Sequence, residues 1–338
     1  MPIVFHGDIH KANDWHKIVA SNQALIKLRQ FLKVKEPQFV YFLHTLWKNQ
    51  QEAITYKELR QCILNNELSQ GIIEDWQQDY SRFVNRHMKP LIDKAVEAGT
   101  ETIRKEFPQI SLNYNPELLK LYTERYSARF VTNSTMEQIS AVRQAVRMAA
   151  NKQTMSVDAL ARAIRPMVGL TQRQTIANMN YFDSLINGGM SQKAALDKSL
   201  KYAARQHRYR GQMIARTELA FAYEDAEFQS VKQAQRENLM GHTIKKWCSA
   251  RDGVEGVDEF GRVCKICAAL DGVEKEMDEH FDFPTRLPAS SRLKPPAHPH
   301  CRCVLLYIET EPPKYGPEYN VSGAAAEAVK YLGTVEIF

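Results

Sequence analysis

Five of the six cysteines in this 338-residue chain fall between Cys248 and Cys303. They include Cys264-Lys-Ile-Cys267 and, after thirty intervening residues, His298-Pro-His300-Cys301-Arg-Cys303. A Cys-x-x-Cys turn brings two thiolates to one side of a tight loop, a common half-site for tetrahedral zinc. The second cluster can complete the site in two ways. Cys301 and Cys303 share a face if they lie on a strand, where side chains alternate. Alternatively His298 and Cys301 donate one ligand each, with Pro299 stiffening the turn and His300 as a further candidate. Either choice supplies soft or borderline donors, which suit zinc better than calcium or magnesium. The competing reading is a set of reduced, buried thiols, or a disulfide formed only once the protein leaves the cell. Cys248 has no partner at a matching spacing and reads as a core cysteine.

A closed four-ligand site is structural, because a catalytic zinc keeps one position open for water or substrate. The chain has no His-Glu-x-x-His helix and no His-x-Glu partner for a deaminase-type Pro-Cys-x-x-Cys. The further metal-binding histidines or asparagines of a ββα nuclease are missing downstream of His298. An ADP-ribosyltransferase-like site could draw on Arg216 and the Glu309-x-Glu311 pair, but the Ser-Thr-Ser strand it needs is absent. No catalytic residue is therefore assigned, and binding is the expected mode of action. The alternative is a zinc-containing enzyme, a nuclease or an ADP-ribosyltransferase-like effector, acting on nucleic acid or nucleotide.

Two further groups carry charge in informative places. In Ile214-Ala-Arg-Thr-Glu-Leu-Ala-Phe221, helical spacing puts Glu218 in the apolar stripe of Ile214, Thr217, Phe221, Phe228 and Val231. A carboxylate there is costly unless it is paired. Arg216 and Glu218 are thus expected to meet polar partners on the Cys/His-bearing segment and to lock it to the helical body. Upstream, Lys201, Arg205, Arg208 and Arg210 alternate with Tyr202, His207 and Tyr209. That segment can grip a phosphate backbone non-specifically. It can equally form a solvated face or meet an acidic protein surface.

The elements that must position these groups are mostly helices. Phe39 to Leu43, with Leu46 and Trp47, has helical spacing. Capping boxes are expected at Thr55/Glu58, Ser134/Glu137 and Thr171/Gln174, and Ser156 is expected to cap a short helix ending near Pro166. A helix is expected over Ile72 to Val96, and a long one opens at Ser191 and runs to about Gln235. After Gly241 helical periodicity stops, and β-prone pieces occur at Thr243–Trp247 and Cys303–Ile308. The fold class is therefore α+β: a mostly helical body with a small C-terminal α+β module, zinc-stabilised if the cysteines bind metal. The expected division is an N-terminal helical region (1–133), a domain over 134–311 with helices at 134–240 and the Cys/His module at 242–311, and a tail (312–338) with a short helix near Ala324–Leu332.

Composition narrows the setting. The formal net charge is +6, compatible with contact to nucleic acid but far from the density of a DNA-coating protein. No run approaches the roughly 18 apolar residues of a membrane span, and the start lacks a secretory pattern. Synthesis in a cytosol is expected, where clustered thiols favour metal over disulfide.

The succession Arg216-Thr-Glu218, Lys246-Trp247, Asp252, Val263-Cys264-x-x-Cys267, Leu270-Asp271-Gly272 and Pro295-Pro296-x-His298-Pro299-x-Cys301-Arg302-Cys303 resembles the Mu F-like minor head proteins of tailed phages, over about residues 135–308. The stretch Gly253 to Gly261 departs from the family by lengthening a usually tight connection. The resemblance implies a low-copy virion protein inside the head, present in the host cytoplasm during assembly and again after DNA ejection. Its implied partners are the portal protein, capsid or scaffolding proteins and packaged DNA, with no membrane.

Overall fold

The computed structural model describes residues 23–107, 116–150, 156–250, 264–283 and 292–313. The expected tail helix and the Gly253–Gly261 stretch lie outside these residues. In chain order come α1 (Gln23–Ala53), α2 (Tyr56–Asn65), α3 (Gln70–Phe83), a π turn (Val84–Met88), α4 (Lys89–Glu106), α5 (Pro116–Ala150), α6 (Val157–Ile164), α7 (Gln172–Asn187) and α8 (Gln192–Arg236). The C-terminal part adds β1 (Thr243–Cys248), α9 (Lys265–Leu270), β2 (Glu274–Glu276) and β3 (Val304–Glu309). The α+β class expected from the sequence holds.

Several helix starts follow from local chemistry. Thr55 and Glu58 cap each other's backbone reciprocally at α2, as Thr171 and Gln174 do at α7. Ser156 accepts the Ala159 amide at α6. The box expected at Ser134/Glu137 does not form. Ser134 lies in the interior of α5, which begins at Pro116 and passes through the 133/134 position. A Ser-x-x-Glu signature marks a start only where the preceding residues cannot already be helical. The helix expected from Ile72 to Val96 is also longer: α3, the π turn and α4 continue to Glu106.

The chain forms two compact units, each assembled from separated stretches. One comprises Lys35–Leu91 and Pro116–Ala215 and is helical among its described residues. Its core gathers Leu59, Trp76, Val142, Ile164 and Met179. A buried polar chain also runs through this unit. The Trp47 indole N–H donates to Tyr80 Oη (3.0 Å), Tyr80 donates to Gln138 Oε1 (2.8 Å), and Gln138 Nε2 donates to Gln50 Oε1 (3.1 Å). Each buried polar group thereby gains a partner, which offsets its desolvation. Of the run starting at Phe39, Phe39, Leu43 and Trp47 point inward at helical spacing, while Tyr41 is exposed.

The other unit comprises the chain up to Val34, Ile92–Asn115 and the chain from Arg216 onward. Its sheet has the order β2-β1-β3 with both pairs antiparallel. Ile244 faces Glu276 on one side and Ile308 on the other. Trp247 packs edge-on against Phe281 and Phe283, with centroids 5.0 and 5.8 Å away, in a core shared with Phe228, Val231, Cys267, Cys301, Cys303 and Leu305. Gly99 of α4 is required here by close approach, since a Cβ at that position would lie 2.3 Å from the Tyr223 carbonyl of α8. From Leu219 to Phe228, α8 is buried on every side.

Candidate metal centre

Two turns face each other in the mixed unit. The first is Cys264-x-x-Cys267, where Cys264 caps α9 and its Sγ accepts the Cys267 amide at 3.4 Å. The second is His298-x-x-Cys301, closed by the Cys301 amide donating to the His298 carbonyl at 3.1 Å. Across the gap, His298 Nε2 is 2.9 Å from Cys264 Sγ and 3.1 Å from Cys267 Sγ, and Cys267 Sγ is 3.7 Å from Cys301 Sγ. Potential ligand atoms form two overlapping triplets, Cys264/Cys267/His298 and Cys267/Cys301/Cys303, each lying within 4.8 Å. These groups could hold a metal ion. The thiols are buried except for the exposed Cys264.

Cys301 and Cys303 precede β3, which begins only at Val304. They are not aligned by strand alternation, yet both sulfurs lie within 4.8 Å of Cys267 Sγ, and the turn linking His298 to Cys301 forms beside them. His298 Nδ1 lies 2.7 Å from the Pro299 carbonyl, so that nitrogen donates and Nε2 faces the sulfurs, placed to ligate an ion held between them. Orientation of a ligating imidazole by its other nitrogen is a regular feature of metal sites.

The electrostatics divide the cluster, lowering the Cys264 and Cys301 thiols and raising those of Cys267 and Cys303. A hydrogen bond from Cys267, reinforced by His298, lowers the Cys264 thiol to about 4 despite partial burial. Burial alone would lower His298, but the neighbouring Cys301 and Cys264 sulfurs raise it to about 9. Burial pushes Cys303 well above the usual thiol range.

The surrounding segments hold the turns in place. The Asp271 carboxylate accepts the Ser249 amide at 2.8 Å, and the Gly272 amide donates to the Trp247 carbonyl at 2.8 Å, with Gly272 at φ 78°. The Leu270-Asp271-Gly272 motif thus ties the end of α9 back to β1. On the other side, His300 has φ 65°, a left-handed conformation uncommon for a non-glycine residue. Its amide donates to Thr217 Oγ1 at 3.2 Å, and its Nδ1 lies 3.4 Å from Arg216 Nη1, which can only donate. Burial, then Arg216, Arg302 and His298, lower His300 to about 3, so its ring is neutral and accepts.

Arg216 meets His300 on the Cys/His segment. Glu218 is only half-buried. Three buried carboxylates of α8 are ones that sequence reasoning missed: Glu224, Asp225 and Glu227. Asp225 pairs with Lys294 at 3.0 Å, and Lys294 Nζ sits 3.8 Å from the Phe221 ring centroid. Glu224 Oε2 accepts the Leu305 amide of β3 at 3.4 Å. Glu224 and Glu227 sit three residues apart inside the stretch of α8 that is buried on every side; the apolar residues around them, Leu219, Phe221, Ala222, Ala226 and Phe228, were the available signal.

The basic segment divides. Lys201, Arg205 and Arg208 are exposed, and Arg205 stacks over Tyr202 at 5.7 Å. Arg210 is 1% exposed, bound to Glu137 at 2.6 Å and to the Gly169 carbonyl, with its guanidinium 5.4 Å from the Trp47 ring centroid. It belongs to the core and not to a nucleic-acid face.

These features define a largely helical protein carrying a compact Cys/His module on a small antiparallel sheet. Residues 140–306 match the family model described as Phage Mu protein F like protein. That span covers just under half of the chain, and over it the chain resembles this family of phage head-morphogenesis proteins. No curated protein and no solved structure matches the chain. Among the described residues, no helix is long and apolar enough to cross a membrane.

Proposed function

We propose that the chain is a minor head protein that associates with the portal during procapsid assembly, with residues 134–311 as the module that carries this role. The observation that carries the reading is the family match, which spans the stretch from within α5 to β3, including the Cys/His turns and the Arg216–His300 contact. Its partners would be the portal and capsid or scaffolding proteins, and its location the interior of the head. In this reading the protein acts by binding. The Cys/His turns hold one zinc ion as a structural link, since their sulfur and imidazole donors suit zinc and the ion would be enclosed by protein. The thirty residues between Cys267 and His298 would then form a closed loop whose ends the ion fixes.

Lys201, Arg205 and Arg208, on the exposed face of α8, would contact packaged DNA through its phosphates. Co-expression with the portal protein of the same phage, followed by sedimentation, tests the main role. Co-sedimentation with portal rings at a fixed, low stoichiometry is expected. Portal rings that assemble and sediment without the chain would overturn it.

A further inference from the structure

We infer that one metal ion is bound by Cys264, Cys267, His298 and Cys301, with Cys303 outside the set, and that this ion seats His300 on α8. The inference deepens the metal part of the proposed function and does not depend on portal binding. Five donors fall in two triplets that share Cys267, and a tetrahedral ion takes only four of them, drawing the fourth in from the second triplet. Two of those donor pairs share one local design, an i, i+3 turn closed by a hydrogen bond from the second ligand's amide. Cys303 lies beyond the second turn, at the entry to β3. The Cys267–Cys301 separation of 3.7 Å matches the edge of about 3.8 Å expected between two sulfurs at tetrahedral zinc. The sulfur–imidazole separations of 2.9 and 3.1 Å are shorter than the corresponding edge, and the side chains would open slightly around an ion.

His300 is the consequence of this arrangement. It lies between two ligands, His298 and Cys301, in a left-handed conformation that its surroundings must maintain. In that conformation its amide reaches Thr217 and its ring reaches Arg216, at the start of the α8 stretch buried in this unit. Fixing the two flanking ligands fixes the residue between them. The metal turn is thus a clasp, and Arg216 and Thr217 are its positioning residues on the helix.

Cobalt substitution and hydrogen exchange on the full chain test both halves. Cobalt(II) should bind at one ion per chain, with a thiolate-to-cobalt absorption band. Cys303→Ser should keep the stoichiometry and band of the parent protein, whereas Cys301→Ser should weaken binding at least tenfold. If Cys301→Ser does not fold, competition against a chelator by the parent and Cys303→Ser proteins decides, equal affinities being expected. In exchange measurements, metal removal should raise amide exchange around Arg216–Ala220 at least tenfold while leaving Lys193–Lys201 unchanged. Arg216→Ala should raise exchange at the same amides with the metal still bound. Loss of metal in Cys303→Ser, or unchanged exchange around Arg216 on metal removal, would overturn the inference.

Discussion

Arg210 and Glu137 meet at 2.6 Å, although the arginine is almost fully enclosed and the glutamate side chain is 47% exposed. One arginine of a basic run is thereby withdrawn into the helical unit, where it also binds the Gly169 carbonyl and lies over Trp47. Removing it leaves an unfilled space and strands the carbonyl. Arg210→Ala should lower unfolding free energy by about 3 kcal/mol, the cost of breaking a largely buried, hydrogen-bonded charge. Arg208→Ala, at an exposed site, should change it by less than about 0.5 kcal/mol. Denaturant titration of both variants measures the contrast.

The exposed remainder of that run should govern DNA affinity. Replacing Lys201, Arg205 and Arg208 together by glutamine should weaken duplex binding and reduce the slope of log affinity against log salt by about 3, if each contacts one phosphate. Fluorescence anisotropy at several salt concentrations provides the slope. An unchanged slope would remove DNA contact from this face of α8.

Acid should act on the helical unit through His207. Burial, with Arg210 and His44 adding, lowers its pKa to about 4 even though its Nε2 lies 2.9 Å from the Pro166 carbonyl. The native ring is therefore neutral where the unfolded ring already takes a proton. The stability it contributes is complete above the ordinary value of 6.5 and is lost as pH falls toward 4. The difference amounts to about 3 kcal/mol. Urea midpoints should fall over this range in the parent protein and fall less in His207→Gln.

Glu227 should act in the opposite sense. Burial, then Glu224 and Glu106, push its carboxyl well above the ordinary 4.5. The folded state holds the proton more tightly, so this contribution is present below 4.5 and is lost as pH rises toward the folded value. Glu227→Gln, which keeps the shape without the charge, should raise the melting temperature at neutral pH. The gain should shrink in acid. A lower melting temperature at both pH values would show that the carboxylate is ionised and compensated.

The parts of the fold legible in the sequence are those decided locally. Thr55, Ser156 and Thr171 cap helices because their partners lie three residues away. Cys264 and Cys267 were readable as a pair for the same reason. Ser134 misleads because its local signature is genuine but sits inside a helix already under way from Pro116. The choice between Cys301 and Cys303 stays open in the sequence because it depends on where β3 begins. His300 as the contact of Arg216, and the burial of Glu224 and Asp225, depend on contacts between residues some 70 to 85 apart, such as Glu224 with Leu305. No periodicity reports such pairings. Arg210 reads in the sequence like its exposed basic neighbours, and only packing against Trp47 separates it from them.

The account rests most heavily on the paired Cys/His turns being a structural metal link, and metal analysis of the purified full chain tests that directly. The prediction is one zinc ion per chain, resistant to dialysis, with Cys267→Ser protein losing both the zinc and several degrees of melting temperature. Well-folded parent protein that carries no metal, even after zinc is supplied under reducing conditions, and a Cys267→Ser variant of equal stability would contradict it.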